Sequence, residues 1–268
     1  MSKIEGGLRT NNAFAKKTWI GKPLVSVITV VYNSETLIEK TILSVLEQTY
    51  FNIEFIIIDG FSCDKTIEII KKYNNQIAYW MSEKDSGLYD AMNKGLSYAS
   101  GDYVWFINSG DKIYADEVLE TIFEIEGADA DIYYGETMMI GSTDEEIGLR
   151  RLSTPEELSW KSFRKGMVVS HQSIIVRKSI TPLFETQYRF SADFDWVLKC
   201  LKKAKNVKNT KMVLSKFLDG GLTKKNIVPG LKERFRIMCK HYGYFSTFFN
   251  HLILGWNFIW YVKKNKRF

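Results

Sequence analysis

Residues 24–31 read LVSVITVV; together with 53–58, IEFIII, and 103–107, YVWFI, they decide the fold. Each is an apolar run with no polar residue alternating regularly through it. A strand of this kind is covered on both faces, as in a mostly parallel sheet flanked by helices. The segments between supply those helices. Residues 35–46 gather Leu37, Ile38, Ile42, Val45 and Leu46 on one face, and 64–73 turn Ile67, Ile69 and Ile70 inward. Residues 90–99 form another helix, ended by Ser100-Gly101. Residues 77–81 read as a short strand, 116–125 as a helix and 130–134 as a further strand. The alternation predicts βαβ units and an α/β, Rossmann-like core over residues 20–135.

Working outward, the rhythm loosens. A polar turn is expected at 142–146, a short helix at 155–163 and a strand at 173–176. A helix follows at 194–201, capped by Ser191 or Asp193. Residues 213–217 suit an edge strand and 231–242 an amphipathic helix. The whole chain of 268 residues, 45% hydrophobic and 25% charged, has the globular mixture and suits one large α/β domain with an attachment. Cys63, Cys200 and Cys239 have neither disulfide nor zinc spacing, which favours a reducing, cytoplasmic setting. No run has the length of a membrane span; the longest candidate, 252–262, is broken by Gly255 and Asn257. The formal charge is +6, but residues 224–268 alone carry about +9, so a basic tail follows a slightly acidic body.

Polar residues stand where the apolar strands stop. Asp59 follows IEFIII, and Asn108 with Asp111 follows YVWFI. Ligands of an open α/β sheet bind beyond the C-terminal strand ends. Acidic groups there suit a divalent cation that clamps a diphosphate, although aspartates at such places also cap helices and shape turns. There is no GxGxxG after the first strand and no GxxxxGK[ST] loop, which argues against dinucleotide enzymes and P-loop ATPases. Asp193 and Asp195 lie two residues apart before a helical pattern. In an extended segment both would face one way; in a helix they diverge and only one can face a pocket.

Four stretches resemble the inverting family 2 glycosyltransferases of GT-A fold, especially bacterial members that build capsule, lipopolysaccharide or exopolysaccharide. They are PLVSVITVVYN (23–33) with SVLEQTY (44–50), IEFIIIDGFSCDKT (53–66), DSGLYDAMNKGLSYASGDYVWFINSGD (85–111) and FSADFDW (190–196). The resemblance implies a GT-A domain over 20–223, with a nucleotide-sugar half to 135 and an acceptor half from 136, then a helical, aromatic and basic extension over 224–268. It implies transfer of a sugar, with inversion, from a nucleotide-linked donor (UDP by family habit) to a saccharide or lipid-linked saccharide.

The same resemblance assigns residues. Thr29, Val31, Asn33 and Glu35 match the first-strand end around the nucleotide base, and Asp59 matches the aspartate that contacts it. Asp85, Gly87 and Asn93 match a donor-site element in which asparagine is commoner at the first place. Asn108, Ser109, Gly110 and Asp111 stand where the family has Asp-Ala-Asp-Asp. Only Asp111 keeps a carboxylate for Mn²⁺ or Mg²⁺, and Asn108 offers a neutral oxygen. Asp193 matches the base, with Asp195 as runner-up. His171 and Gln172 could touch acceptor or diphosphate, or His171 could stand behind the site. Gly220 and Gly221 belong to a Gly-Gly loop that could close over the donor.

A nucleotidyltransferase would need a glycine-rich basic loop after the first strand, and VVYNSETLIEK does not supply it. A catalytically weak sugar-nucleotide-binding scaffold is the alternative that the altered Asn108–Asp111 element suggests. No nucleic-acid recognition motif is present. Residues 242–268 hold five Phe, two Trp and three Tyr, all but Phe268 ahead of Lys263, Lys264, Lys266 and Arg267. That pattern suits peripheral contact with an anionic membrane surface, or burial against the domain or a second copy of the chain.

Overall fold

The computed structural model describes residues 3–125, 127, 129–220 and 227–251. Its strands are β1 (Ile4–Gly6), β2 (Val25–Val31), β3 (Ile53–Asp59), β4 (Tyr79–Ser82), β5 (Tyr103–Phe106), β6 (Lys112–Ile113), β7 (Ile132–Ile140), β8 (Glu146–Leu149), β9 (Ile174–Arg177) and β10 (Val207–Leu218). The helices that matter here are α1 (Ile38–Leu46), α2 (Thr66–Lys72), α3 (Leu88–Tyr98), a short α4 (Val118–Glu120), α5 (Ala192–Lys203) and α6 (Ile227–Tyr242). All the strands join one sheet in the order β1-β4-β3-β2-β5-β9-β7-β10-β6, with β8 on β7. Within it β2 to β5 are parallel, as are β7 and β10, while β1, β6, β8 and β9 run against their neighbours.

The unbroken apolar strands follow from burial on both faces. Val25, Val27, Val31 and Ile57 pack with Ile38, Ile42 and Val45 of α1 and Ile69 and Ile70 of α2. Ile28, Val30, Ile56 and Ile58 pack on the other side with Met92 and Leu96 of α3 and with Trp196 and Val197 of α5. Successive side chains thus alternate between two cores. The parallel strands end in register, Val31 beside Asp59 and Asp59 beside Ser82, so one sheet edge collects the polar residues that follow them.

Several elements differ from expectation. The helix expected at 116–125 shrinks to α4 followed by one wide turn at Thr121–Ile125, which puts adjacent Ile122 and Phe123 both in the core. The edge strand expected at 213–217 is the twelve-residue β10, and it lies inside the sheet between β7 and β6. Its first half contains Lys208, Asn209, Thr210 and Lys211, and register shifts interrupt its pairing, so no apolar run marks it. The segment at 155–163 becomes a 3-10 turn at Trp160–Lys165. Ahead of residue 20, β1 adds an antiparallel strand to β4, and Arg9 pairs with the buried Glu54. Ile237 and Met238 of α6 join the α3–α5 core, so this helix packs on the body of the domain.

Candidate active site

The strand-end turn comes first. Beyond β5, Ile107 N–H donates to Ile28 and Ser109 N–H to Val30, so the chain follows β2 to its end before turning. Asp111 N–H closes the turn on the Asn108 carbonyl at 2.9 Å. Gly110 takes φ 97°, a conformation that side chains rarely adopt. Thr41 of α1 pins it: its hydroxyl accepts from Gly110 N–H at 3.0 Å and donates to the Asp111 carbonyl at 2.8 Å. Ser109 Oγ meets Ser34 Oγ at 2.8 Å. The Asp111 carboxylate is buried and accepts from Gln172 Nε2 at 2.8 Å and from the backbone N–H of Leu218 at 3.1 Å. Burial outweighs these bonds and pushes its carboxyl up to about 6.

Opposite this turn lies the start of α5. Asp193 accepts from the Tyr89 hydroxyl at 3.0 Å on Oδ1 and meets His171 Nδ1 at 3.2 Å on Oδ2. His171 Nε2 is 3.3 Å from Asn108 Nδ2. An ionised carboxylate only accepts, so the imidazole proton belongs on Nδ1; a neutral ring then accepts at Nε2 from the Asn108 amide. Burial raises the Asp193 carboxyl. The His171 bond, the Arg234 charge and the Tyr89 hydroxyl overcome it and hold the group below the usual range. Asp193 is therefore buried but ionised beside the strand-end turn.

The two aspartates of this first helical turn diverge, as helix geometry requires. Asp195 is turned away from His171, into a cluster with His241 Nε2 at 2.8 Å, Lys199 Nζ at 2.7 Å and Lys240 Nζ at 3.5 Å. Against the cost of burial, the His241 bond and the two lysines hold its carboxyl down to about 2. Its partners tie α5 to the end of α6.

The remaining candidates separate by whether their side chains are occupied. Thr29 is buried and donates to the Ile107 carbonyl at 2.6 Å, and Val31 belongs to the α1–α2 core. Asn93 clips the backbone of Phe184 with two bonds, Nδ2 to its carbonyl at 2.9 Å and Oδ1 from its N–H at 2.7 Å. These three build walls, and both polar side chains use their groups on the protein. Asp59 is also buried, its carboxylate accepting from Ser62 N–H at 2.9 Å and from the Ser62 and Ser82 hydroxyls. Asn33, at φ 45°, and Glu35 accept from the backbone N–H groups of Cys63 and Lys65, both at 2.9 Å, which knits the loops after β2 and β3. Asp85 is half-buried and lies directly over Gly60, where an added Cβ would meet its Oδ2 at 2.4 Å. Burial raises its carboxyl, with Asp90 and Asp59 adding to the effect and Gly87 N–H, 2.9 Å from Oδ1, opposing it. Gly87 is the exposed N-cap of α3, and Gly220 lies just after β10 at φ 107°. Gly221 lies outside the described residues.

Sequence reasoning missed Tyr89, Thr41, Arg150 and Arg234. Tyr89 sits inside the 85–111 stretch, four residues after Asp85, and its place there was the available signal. Arg150 is partly buried, has a buried Nη1 without a hydrogen-bond partner, and feels Asp193 and Arg234 electrostatically. Nothing in the linear pattern marks either arginine.

A mostly parallel sheet with polar residues gathered at its strand ends, and an ionised aspartate across from them, is an architecture of the GT-A kind. The sequence profile described as Glycosyl transferase family 2 matches residues 26–184, and the chain belongs to this family and is a glycosyltransferase. It is 34% identical over 182 residues to an uncharacterized glycosyltransferase of Mycobacterium tuberculosis strain H37Rv, covering 66% of this chain and 68% of that one. It is 32% identical over 187 residues to Bacillus subtilis TuaG, provisionally named a teichuronic acid biosynthesis glycosyltransferase, with 68% and 73% covered. Among solved structures it resembles S. aureus TarS 1-349 in complex with UDP, with a TM-score of 0.63 and 20% identity over 81% of this chain. The match spans 65% of that chain, less than two thirds of its length. It also resembles the mannosyltransferase PcManGT of Pyrobaculum calidifontis in complex with GDP-Man and Mn²⁺, with a TM-score of 0.60 and 15% identity, covering 90% of this chain and 73% of that one.

Proposed function

We propose that this glycosyltransferase moves a sugar from a UDP-linked donor to a saccharide or lipid-linked saccharide, inverting the anomeric centre by direct displacement. The observation that carries this is the placing of ionised Asp193 opposite the Asn108–Asp111 turn, with one imidazole between them. A base on one side of the crevice and a diphosphate-binding turn on the other suit an in-line attack. Asp193 would take the acceptor hydroxyl proton. Asp85, over Gly60, would face the nucleoside, within the loops that Asn33, Glu35 and Asp59 hold in shape.

The turn also fits a divalent cation in part. Asn108 Oδ1 is buried without a hydrogen-bond partner, an oxygen that a hard cation would satisfy. Each Asp111 oxygen accepts one bond and keeps a free lone pair. Among the described residues no group of three His, Cys, Asp or Glu side chains could hold a metal, so donor oxygens and water would complete the shell. Bound there, Mn²⁺ or Mg²⁺ would stabilise the departing diphosphate. The name of TuaG and the Mn²⁺ in PcManGT agree with a metal-assisted polysaccharide enzyme.

In the extension that follows the acceptor half, α6 leads to the helical residues 244–251, where Tyr244, Phe245, Phe248 and Phe249 are exposed. We assign this face to the cytoplasmic membrane surface, where a lipid-linked acceptor would lie. Among the described residues no helix is long and apolar enough to cross a membrane. The rest of the aromatic and basic tail, 252–268, lies outside the described residues. The deciding experiment is release of UDP from a panel of UDP-sugars by purified protein, with and without Mn²⁺. Metal-stimulated release from at least one donor supports transfer; binding of donors with no turnover in the presence of acceptor glycolipids would leave a sugar-nucleotide-binding scaffold.

A further inference from the structure

One series of contacts crosses the crevice from the strand-end turn to the base, and His171 is its middle member. We infer that His171 is the positioning residue of the transfer. Its Nδ1–H holds Asp193 Oδ2 while the Tyr89 hydroxyl holds Oδ1, and its Nε2 ties this pair to Asn108. The inference rests on the transferase reading above and deepens it.

A carboxylate with one donor on each oxygen cannot rotate without breaking a bond, so Asp193 has a single orientation. Each oxygen keeps another lone pair, and one of them is what the acceptor hydroxyl needs. The imidazole is a planar spacer with no rotatable bond between its two nitrogens. It therefore fixes the span between the base and the turn that faces the diphosphate, where a misplacement of about 1 Å can cost a hundredfold in rate. His171 is itself firmly held. It is buried in a 3-10 turn, His171–Ser173, leading into β9. The next residue, Gln172, donates to Asp111 and receives the Trp105 indole N–H on its carbonyl at 2.7 Å. Ser173 Oγ meets Thr137 Oγ1 and Ser215 Oγ, both at 2.7 Å.

The step balances without an added reactant. The acceptor proton passes to an Asp193 oxygen as the acceptor oxygen bonds to the anomeric carbon. The bond from that carbon to the diphosphate oxygen breaks, and its electron pair leaves with the diphosphate. His171 keeps its Nδ1 proton throughout.

Two conservative variants separate the two nitrogens. Asparagine can place an amide N–H near the Nδ1 position, and glutamine can place one near Nε2. UDP release from UDP-hexoses is measured with water as acceptor and Mn²⁺ present, after each variant is shown to melt near wild type. His171→Gln is expected to lower kcat roughly tenfold or more, as loss of a bond to a charged group does, with donor KM little changed. His171→Asn should retain most of kcat, and Tyr89→Phe should lose about as much as His171→Gln. Glutamine outperforming asparagine, or a loss confined to donor KM, would overturn the inference and leave His171 serving the donor side. A second readout is independent of turnover. The ¹⁵N spectrum should place the His171 proton on Nδ1 and respond to Asp193→Asn, whereas an Nε2–H tautomer in wild type overturns the inference. Wild-type protein that releases no UDP from any donor would count against the transferase reading, and the tautomer would then decide the inference alone.

Discussion

Asp193 and Asp111 share a site and are both buried, yet their surroundings push them in opposite directions. Asp193 has an imidazole N–H, a phenol and a nearby guanidinium, and stays ionised. Asp111 has two neutral donors, and burial raises it to about 6. Such a division of carboxylates marks different chemical tasks. Asp193→Asn is expected to cut transfer by about a hundredfold or more, the scale of general-base loss, with nucleotide affinity unchanged; near-normal transfer would take the base role from it. Asp111→Ala should abolish metal-dependent binding of UDP, and Asn108→Ala should weaken it less. Calorimetric titration of UDP with and without Mn²⁺ checks both; variants that bind like wild type, with EDTA having no effect on wild-type binding, would remove the metal. At this scale the sequence was informative where a residue's type limits its use, as for aspartates at strand ends. It could not show that Thr29 and Asn93 are occupied by the backbones of Ile107 and Phe184, because those partners lie 78 and 91 residues away.

At the level of elements, α5 serves two masters. Its first turn sends Asp193 to the crevice and Asp195 to Lys199, Lys240 and His241, and the last two belong to α6. The two-residue spacing was legible, and the helical periodicity explains why the side chains part. Asp195 has a folded-state value of about 2, below its ordinary 3.8. It therefore stabilises the fold above pH 4, and that stabilisation is lost as pH falls from about 4 through about 2. Asp195→Asn should cost about 2 kcal/mol near neutrality and lower the melting temperature by roughly 4–8 °C. The difference from wild type should shrink below pH 3. A melting curve series over pH 2–7 tests this; a pH-independent difference would mean that lost packing, and not charge, is responsible. The elements that escaped the sequence are those held by partners and not by their own pattern. Three-residue β1 survives by pairing with β4, and polar β10 by lying between two strands.

Across the whole molecule, the helical end of the described chain carries an unequal surface. Thr247 is buried, Phe235 packs edge-on against Tyr244 and His251, and Tyr242 stacks on Trp160 at 5.4 Å. Phe245 and Phe249 stay 79% and 61% exposed, so they can be changed without opening the core. Phe245→Ser with Phe249→Ser should reduce flotation with anionic liposomes severalfold while leaving the melting temperature unchanged. Equal flotation of variant and wild type would assign the aromatics to another contact. A chain ending at residue 241 would lose the Tyr242 stack on Trp160 as well as the exposed aromatics. The long reach of β10 has a temporal consequence. Strand β6 pairs with β10, and Asp111 Oδ1 takes its bond from Leu218, 107 residues further on. A nascent chain that has emerged only to residue 206 contains Asp59, Asp85, Asn108 and Asp193, but its carboxylate turn is still unfastened. Closing such distant contacts is slow and comes late in folding. The turn is therefore completed only once residues 207–218 have been made, after the helix that carries Asp193.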